Sequence, residues 1–196
     1  RINEALGKLV AMQYNKLTYM ETAPELSDIA AVFNGSDGQL SFLGTSDTTP
    51  NKLALEEVIQ VIGLNNARHM KTSLKSLQDK FGAAPYGFDP KDVQWLVAML
   101  FKMGRVSLTY NSQSLSMLSN TKEELVRYLT KREFVEKLLI SIRERATDGQ
   151  IRSAKEVIKD YFGFSVSSDD DDMIMRTFKK KAQDKLELFS EIMIEY

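Results

Sequence analysis

Cysteine is absent from the 196-residue sequence, which excludes disulfides, thiolate metal sites and cysteine nucleophiles. One histidine and one tryptophan are present, so a paired-imidazole metal site cannot form. No apolar run approaches the roughly 18 residues of a membrane-spanning helix, and no charged-then-apolar signal segment opens the chain. A cytoplasmic location without membrane contact is therefore expected. Charge of one sign is also lacking: 27% of residues are charged, yet the net charge is -1. Bulk electrostatics thus give no pull toward nucleic acid or a membrane surface, although a local patch stays open. What the sequence does have is a hydrophobic fraction of 43%, enough for a core in one domain or in two small ones sharing a core.

Both ends read as interrupted helices. Arg1 stands directly in a helical pattern of Ile2, Leu6, Leu9, Val10, Leu17 and Met20, with no cap before it. At the other end Phe178, Ala182, Leu186, Phe189, Met193 and Tyr196 share one stripe, and no Gly, Asn or Pro stops it. An internal piece of a longer protein is the expectation. A short helix from Pro24 to Val32 and a polar loop from Phe33 to Pro50, containing Asn34, Gly35, Asp37, Gly38, Gly44 and Asp47, mark the best boundary. Three segments follow: residues 1–50, 51–118 and 119–196. They carry 3, 8 and 15 basic and 6, 5 and 16 acidic side chains, so only the middle segment is positive.

The middle segment reads as three helices and a hairpin. Thr49 and Pro50 can start the first, with Leu55, Ile59 and Ile62 on its apolar face. Thr72 can cap a second that carries Leu74, Leu77 and Phe81. Asp89, Pro90 and Asp92 supply cap, preset φ and first-turn negative charge for a third, and Gly104 ends it. Val106, Leu108 and Tyr110 then alternate with Ser107 and Thr109 as a strand, Asn111, Ser112 and Gln113 turn the chain, and Leu115 and Met117 return. This order is that of a winged helix-turn-helix, with residues 89–103 in the recognition position and the hairpin as wing. In the connection Ala84-Pro85-Tyr86-Gly87-Phe88, Pro85 keeps Ala84 out of helical geometry, Gly87 can take positive φ, and two aromatics can plug the core.

The run from Pro85 to Leu115, PYGFDPKDVQWLVAMLFKMGRVSLTYNSQSL, resembles a region outside the nucleotide site of the large P-loop ATPases of BREX phage-defence systems, the BrxC or PglY proteins. These show a similar Pro-Tyr-Gly-aromatic turn, an apolar helix, a Gly and a short hairpin. Tyr14-Asn15-Lys16-Leu17-Thr18-Tyr19 in the first helix and the helical C-terminal third extend the likeness loosely over most of the chain. Phe88 stands where that family often has Trp. No G-x-x-x-x-G-K-[ST] occurs, since Gly7-Lys8 is followed by Leu9 without an upstream glycine. The resemblance implies an ATP site elsewhere in a longer parent.

On a wheel for residues 89–103, Val93, Leu96, Val97, Leu100 and Met103 form one side. Lys91, Gln94, Trp95, Ala98 and Lys102 form the other, a basic strip around a tryptophan. With Arg105, Asn111 and Gln113 from the wing, these are the candidate contacts to a partner or to DNA. Met99 and Phe101 flank the strip, so few groups are left to read bases, and a protein contact anchored on Trp95 is favoured. His69 reads as a surface or capping residue. Asp169 to Asp172 precede a helix of roughly 25 residues and suit its N-terminus, because the alternating ligands, glycine and closing glutamate of a calcium loop are missing. Lys179, Lys180 and Lys181 follow. Thr121 and Glu124 make a capping box, Leu125, Leu129, Phe134, Leu138, Leu139 and Ile142 continue at helical spacing, Asp148-Gly149 breaks the chain, and Ile151, Ala154, Ile158 and Tyr161 form a further helix ending at Gly163.

The expected fold is mainly α: a winged-helix-like module of three helices plus a β-hairpin, with a flanking helical bundle. No catalytic set is visible, so the chain is expected not to be an enzyme and to hold no cofactor or metal. The expected role is an interaction and coupling module of a BREX-type ATPase, with protein subunits or domains of a defence complex as partners. The alternative is a winged-helix DNA-binding module or transcriptional regulator.

Overall fold

Residues 2–34, 49–144, 146–169 and 171–194 are described in the computed structural model. Contacts divide the chain into two units, Arg1–Arg143 and Glu144–Tyr196. The first contains α1 (Ile2–Gln13), a 3₁₀ turn (Leu17–Tyr19), α2 (Leu26–Asn34), α3 (Lys52–Ala67), β1 (Thr72–Ser73), α4 (Leu74–Gly82) and α5 (Pro90–Lys102). It continues with β2 (Val106–Tyr110), β3 (Gln113–Leu115), α6 (Lys122–Thr130), α7 (Arg132–Val135) and β4 (Leu139–Ile142). The second contains α8 (Asp148–Phe162) and α9 (Asp171–Ile194). The fold is mainly helical with one small antiparallel sheet.

Helices α3, α4 and α5 followed by the β2–β3 hairpin give the winged-helix order. The wing turns through Asn111 and Ser112, both at positive φ of 48° and 65°, between the paired residues Tyr110 and Gln113. That is the two-residue loop whose twist matches the strands it joins. The sheet is wider than a hairpin: its order is β1-β4-β2-β3. Leu139–Ile142, which helical spacing assigns to a helix, forms a strand that fills the slot between β1 and β2. A short aliphatic run fits either element by periodicity. Here two strands with unpaired backbone groups decide it. Helices α6 and α7 and strand β4 all fall within the first unit.

Local capping corrects two helix starts. Ser73, not Thr72, caps α4 in a box with Ser76, while Thr72 pairs with Ile140 in β1. Its hydroxyl accepts from Asn65 Nδ2 at 3.0 Å. Asp89 and Asp92 box the start of α5 with Pro90 in the first turn, and Thr121 with Glu124 does the same for α6, both as the spacing predicts. Asp148-Gly149 does not break the chain. Thr147 caps α8 through Gln150 and draws both residues into its first turn, and Gly163 closes that helix at φ 66°.

Helix α3 begins at Lys52, later than Thr49-Pro50 suggests, because Asn51 is committed elsewhere. Its fully buried side chain accepts from Thr22 N–H at 3.0 Å and donates to Thr22 C=O at 3.0 Å. This pins the N-terminal segment to the entry of α3, with Asn51 in the left-handed region at φ 58°. Most of the expected 33–50 loop lies outside the described residues. Phe33 belongs instead to α2, where it is buried with its ring 6.4 Å from Phe101.

In the second unit Ile158 and Ile174 are buried, and Phe162 meets Phe178 edge-on at 5.6 Å. Lys185 lies over Phe162 and donates to the Tyr161 carbonyl at 2.9 Å.

Replacing Asn51 with Ala removes two buried hydrogen bonds and leaves an L-residue at positive φ. Urea denaturation is expected to register a loss of about 3 kcal/mol. A loss within about 0.5 kcal/mol, the ordinary surface range, would contradict the clamp.

Candidate functional site

The Ala84–Phe88 turn is an aromatic plug. Phe81 stacks on Phe88 at 5.8 Å and meets Tyr86 edge-on at 4.6 Å, and all three rings are buried. The Ala84–Pro85 bond is cis, and Gly87 adopts φ 71°. A Cβ at Gly87 would lie 2.7 Å from Tyr14 Cδ1, so glycine is required both by conformation and by the ring seated on it.

The two stretches that carry the sequence resemblance therefore touch. Lys16 N–H donates to the Pro85 carbonyl at 3.0 Å. The Lys16 ammonium donates to Glu57 on α3, and the other Glu57 oxygen accepts from Tyr86 Oη at 2.7 Å. Lys16 also lies over the rings of Tyr19 and Tyr86 at 5.6 and 5.1 Å. The hydrogen bond from Lys16 holds the Glu57 carboxyl below its ordinary value, and the same bond raises Lys16. Burial, then Glu57, pushes the Tyr86 phenol up. This network is invisible to local spacing because its members come from three separate elements.

The recognition-position helix departs from the expected two-sided pattern. Every residue from Asp92 to Lys102 is buried, with α2, α3, α4, α6 and β2 packed around it. The exposed basic strip is thus corrected: Gln94, Trp95 and Lys102 are only 7%, 7% and 8% exposed. Burial and the nearby Lys122 lower the Lys102 ammonium, while burial raises the Asp92 carboxyl. Lys91, at the helix start, pairs with Glu25 at 3.1 Å, which raises it. The physical reason is α2, which the wheel omits; it packs on α5 from outside the three-helix module.

The wing residues are placed differently. Asn111 and Gln113 are exposed at the hairpin tip. Arg105 is exposed at the opposite end of β2, where its carbonyl accepts from Arg143 N–H at 3.1 Å. The seven candidates therefore do not form one surface. His69 is exposed at φ 55° in the turn after α3. Among the described residues no group of three or more His, Asp or Glu side chains is arranged to hold a metal ion, and no helix is long and apolar enough to cross a membrane.

A pH series tests the lock. The Glu57 contribution is full above about pH 4.3, the unfolded value, and is lost as pH falls through its lowered folded value; the Lys16 contribution is full below about pH 10.4 and is lost as pH rises through its raised folded value. Wild type is expected to exceed Glu57→Gln by about 1–2 kcal/mol at neutral pH, with the gap closing on both flanks. A gap that is constant with pH would contradict the ion pair.

No solved structure matches the chain. The family model of the BREX ATP-binding protein BrxC winged helix-turn-helix domain matches residues 11–144. That span takes in the Tyr14–Tyr19 stretch, the aromatic turn, the buried α5 and all four strands. A winged-helix order, a glycine turn sealed by Tyr14 and a family match over most of the sequence agree: the chain belongs to the BREX BrxC winged helix-turn-helix family.

Proposed function

We propose that this chain is a non-catalytic docking and coupling module of a BREX phage-defence ATPase, and that its partner is the ATP-binding part of the same parent protein. The observation that carries this reading is the burial of α5 on all sides. A winged helix that reads DNA leaves its recognition helix free to enter a groove. Here that helix is the centre of the core, and its tryptophan anchors the chain's own elements. The family description, a winged helix-turn-helix domain of an ATP-binding protein, supports an ATP-binding parent.

Surfaces that suit docking lie elsewhere. Helix α1 displays Ile2, Leu6, Leu9 and Val10 on one arc, each more than half exposed, and it buries no residue. An amphipathic helix of this kind gains stability by covering its stripe. On α9, Leu186, Leu188 and Phe189 are likewise more than half exposed. Such patches, distributed over helices that carry no chemistry, fit a coupler better than an enzyme.

Mixing the purified chain with the ATP-binding part of its parent and measuring mass by light scattering tests this. A stoichiometric complex is expected. The pair Leu6→Asp and Val10→Asp, or Leu186→Asp and Phe189→Asp, is expected to weaken it at least about tenfold, or 1.4 kcal/mol, with unchanged melting of the chain. No complex with wild type would overturn the proposal.

A further inference from the structure

A cleft of about 260 Å³ lies in the first unit, where the start of α5 meets α4 and the junction of α6 with α7. Gln94 lines it and is only 7% exposed. Its amide makes no hydrogen bond among the described residues, whereas every sealed side-chain polar atom there has one. The amide therefore opens into the cleft, and its partners come from outside the chain. Arg132 and Glu136 line the same cleft. Both are exposed, and neither makes a hydrogen bond or ion pair among the described residues. The other polar groups are committed: Lys75 donates to Asp79 at 2.6 Å, Gln78 to the Pro90 carbonyl at 3.3 Å and Thr130 to the Val126 carbonyl at 2.8 Å.

Three open groups set the chemistry of the cleft. Arg132 and Glu136 balance in charge, so a carboxylate or phosphate that gained the first would meet the second, and a cation the reverse. A neutral group with both donors and acceptors suits all three. The volume lies below the roughly 300 Å³ at which drug-sized pockets begin, which is room for one side chain. A backbone amide is trans and points its N–H and C=O to opposite sides. A primary amide carries an N–H and the carbonyl oxygen on one edge, so it forms a two-bond ring with the Gln94 amide. That ring leaves the incoming group one N–H and one carbonyl lone pair. Glu136 accepts from the first and Arg132 donates to the second.

We propose that this cleft is a recognition pocket for the primary amide of an Asn or Gln side chain on a protein partner, with Gln94 as its floor and Arg132 and Glu136 at its rim. The site goes beyond the docking role and uses neither α1 nor α9.

The test is titration of the full ¹⁵N-labelled chain with N-acetylglutamine methylamide, read at the side-chain NH₂ resonances of Gln94 by NMR. A shift that saturates at about millimolar concentration, the scale of a single-side-chain fragment, is expected. The glutamate counterpart of the probe is expected to bind at least about tenfold more weakly, because it presents a carboxylate where the site offers Glu136. Arg132→Met and Glu136→Met, both at exposed positions, are each expected to weaken binding at least about threefold with unaltered circular-dichroism melting. Gln94→Met is expected to abolish binding, followed at the backbone resonances, without lowering the melting temperature, since the amide it removes has no partner in the fold. Four results would overturn the proposal: no shift at Gln94, an equal response to the glutamate probe, a stronger response to adenosine, or binding that survives both rim variants. None of them would touch the docking reading, which light scattering with the ATP-binding part tests separately.

Discussion

A helix whose side chains are buried from Asp92 to Lys102 needs neighbours on every side, and the first unit is arranged to supply them. The three-helix core of the winged module covers one side through α3 and α4. Helix α2 and helix α6 cover others, and β2 closes the remainder. Polar residues on such a helix are tolerated only when their groups find partners. Asp92 turns back to the Asp89 N–H at 2.8 Å, and no buried side-chain polar atom among the described residues lacks a hydrogen bond.

Because α2 lies before the module in sequence, the chain has to be led back to α5. Two anchors do this. Asn51 grips the Thr22 backbone at the entry of α3, and Lys16 with Tyr14 closes over the aromatic turn. One anchor is neutral and fully buried; the other is charged and only partly exposed. The cover on α5 is therefore held at both ends of the segment Tyr14–Thr22, and the family match beginning at residue 11 includes both.

Much of the fold was legible in the sequence. The Asp89-Pro90-Asp92 start, the Gly104 stop, the Asn111-Ser112 turn and the Thr121–Glu124 box are local signals, and local physics fixed them. The resemblance carried by the Pro85–Leu115 run pointed to the family. The strand at Leu139–Ile142 was not legible, because its identity depends on two distant strands needing a partner. The burial of Trp95 and Lys102 was hidden for the same reason: a wheel shows which side chains share a face, not what lies against it. Lys16, Glu57 and Tyr86 are separated by 41 and 29 residues, so no spacing rule joins them.

Trp95 is the single tryptophan of the chain, so its fluorescence reports on the recognition-position helix alone. Acrylamide quenching of the folded chain, alone and with duplex DNA, measures directly whether that helix is a core element. The account predicts blue-shifted emission, weak quenching that rises only on unfolding, and no change when DNA is added. Quenching in the folded state as strong as that of free tryptophan, or protection conferred by DNA, would contradict it.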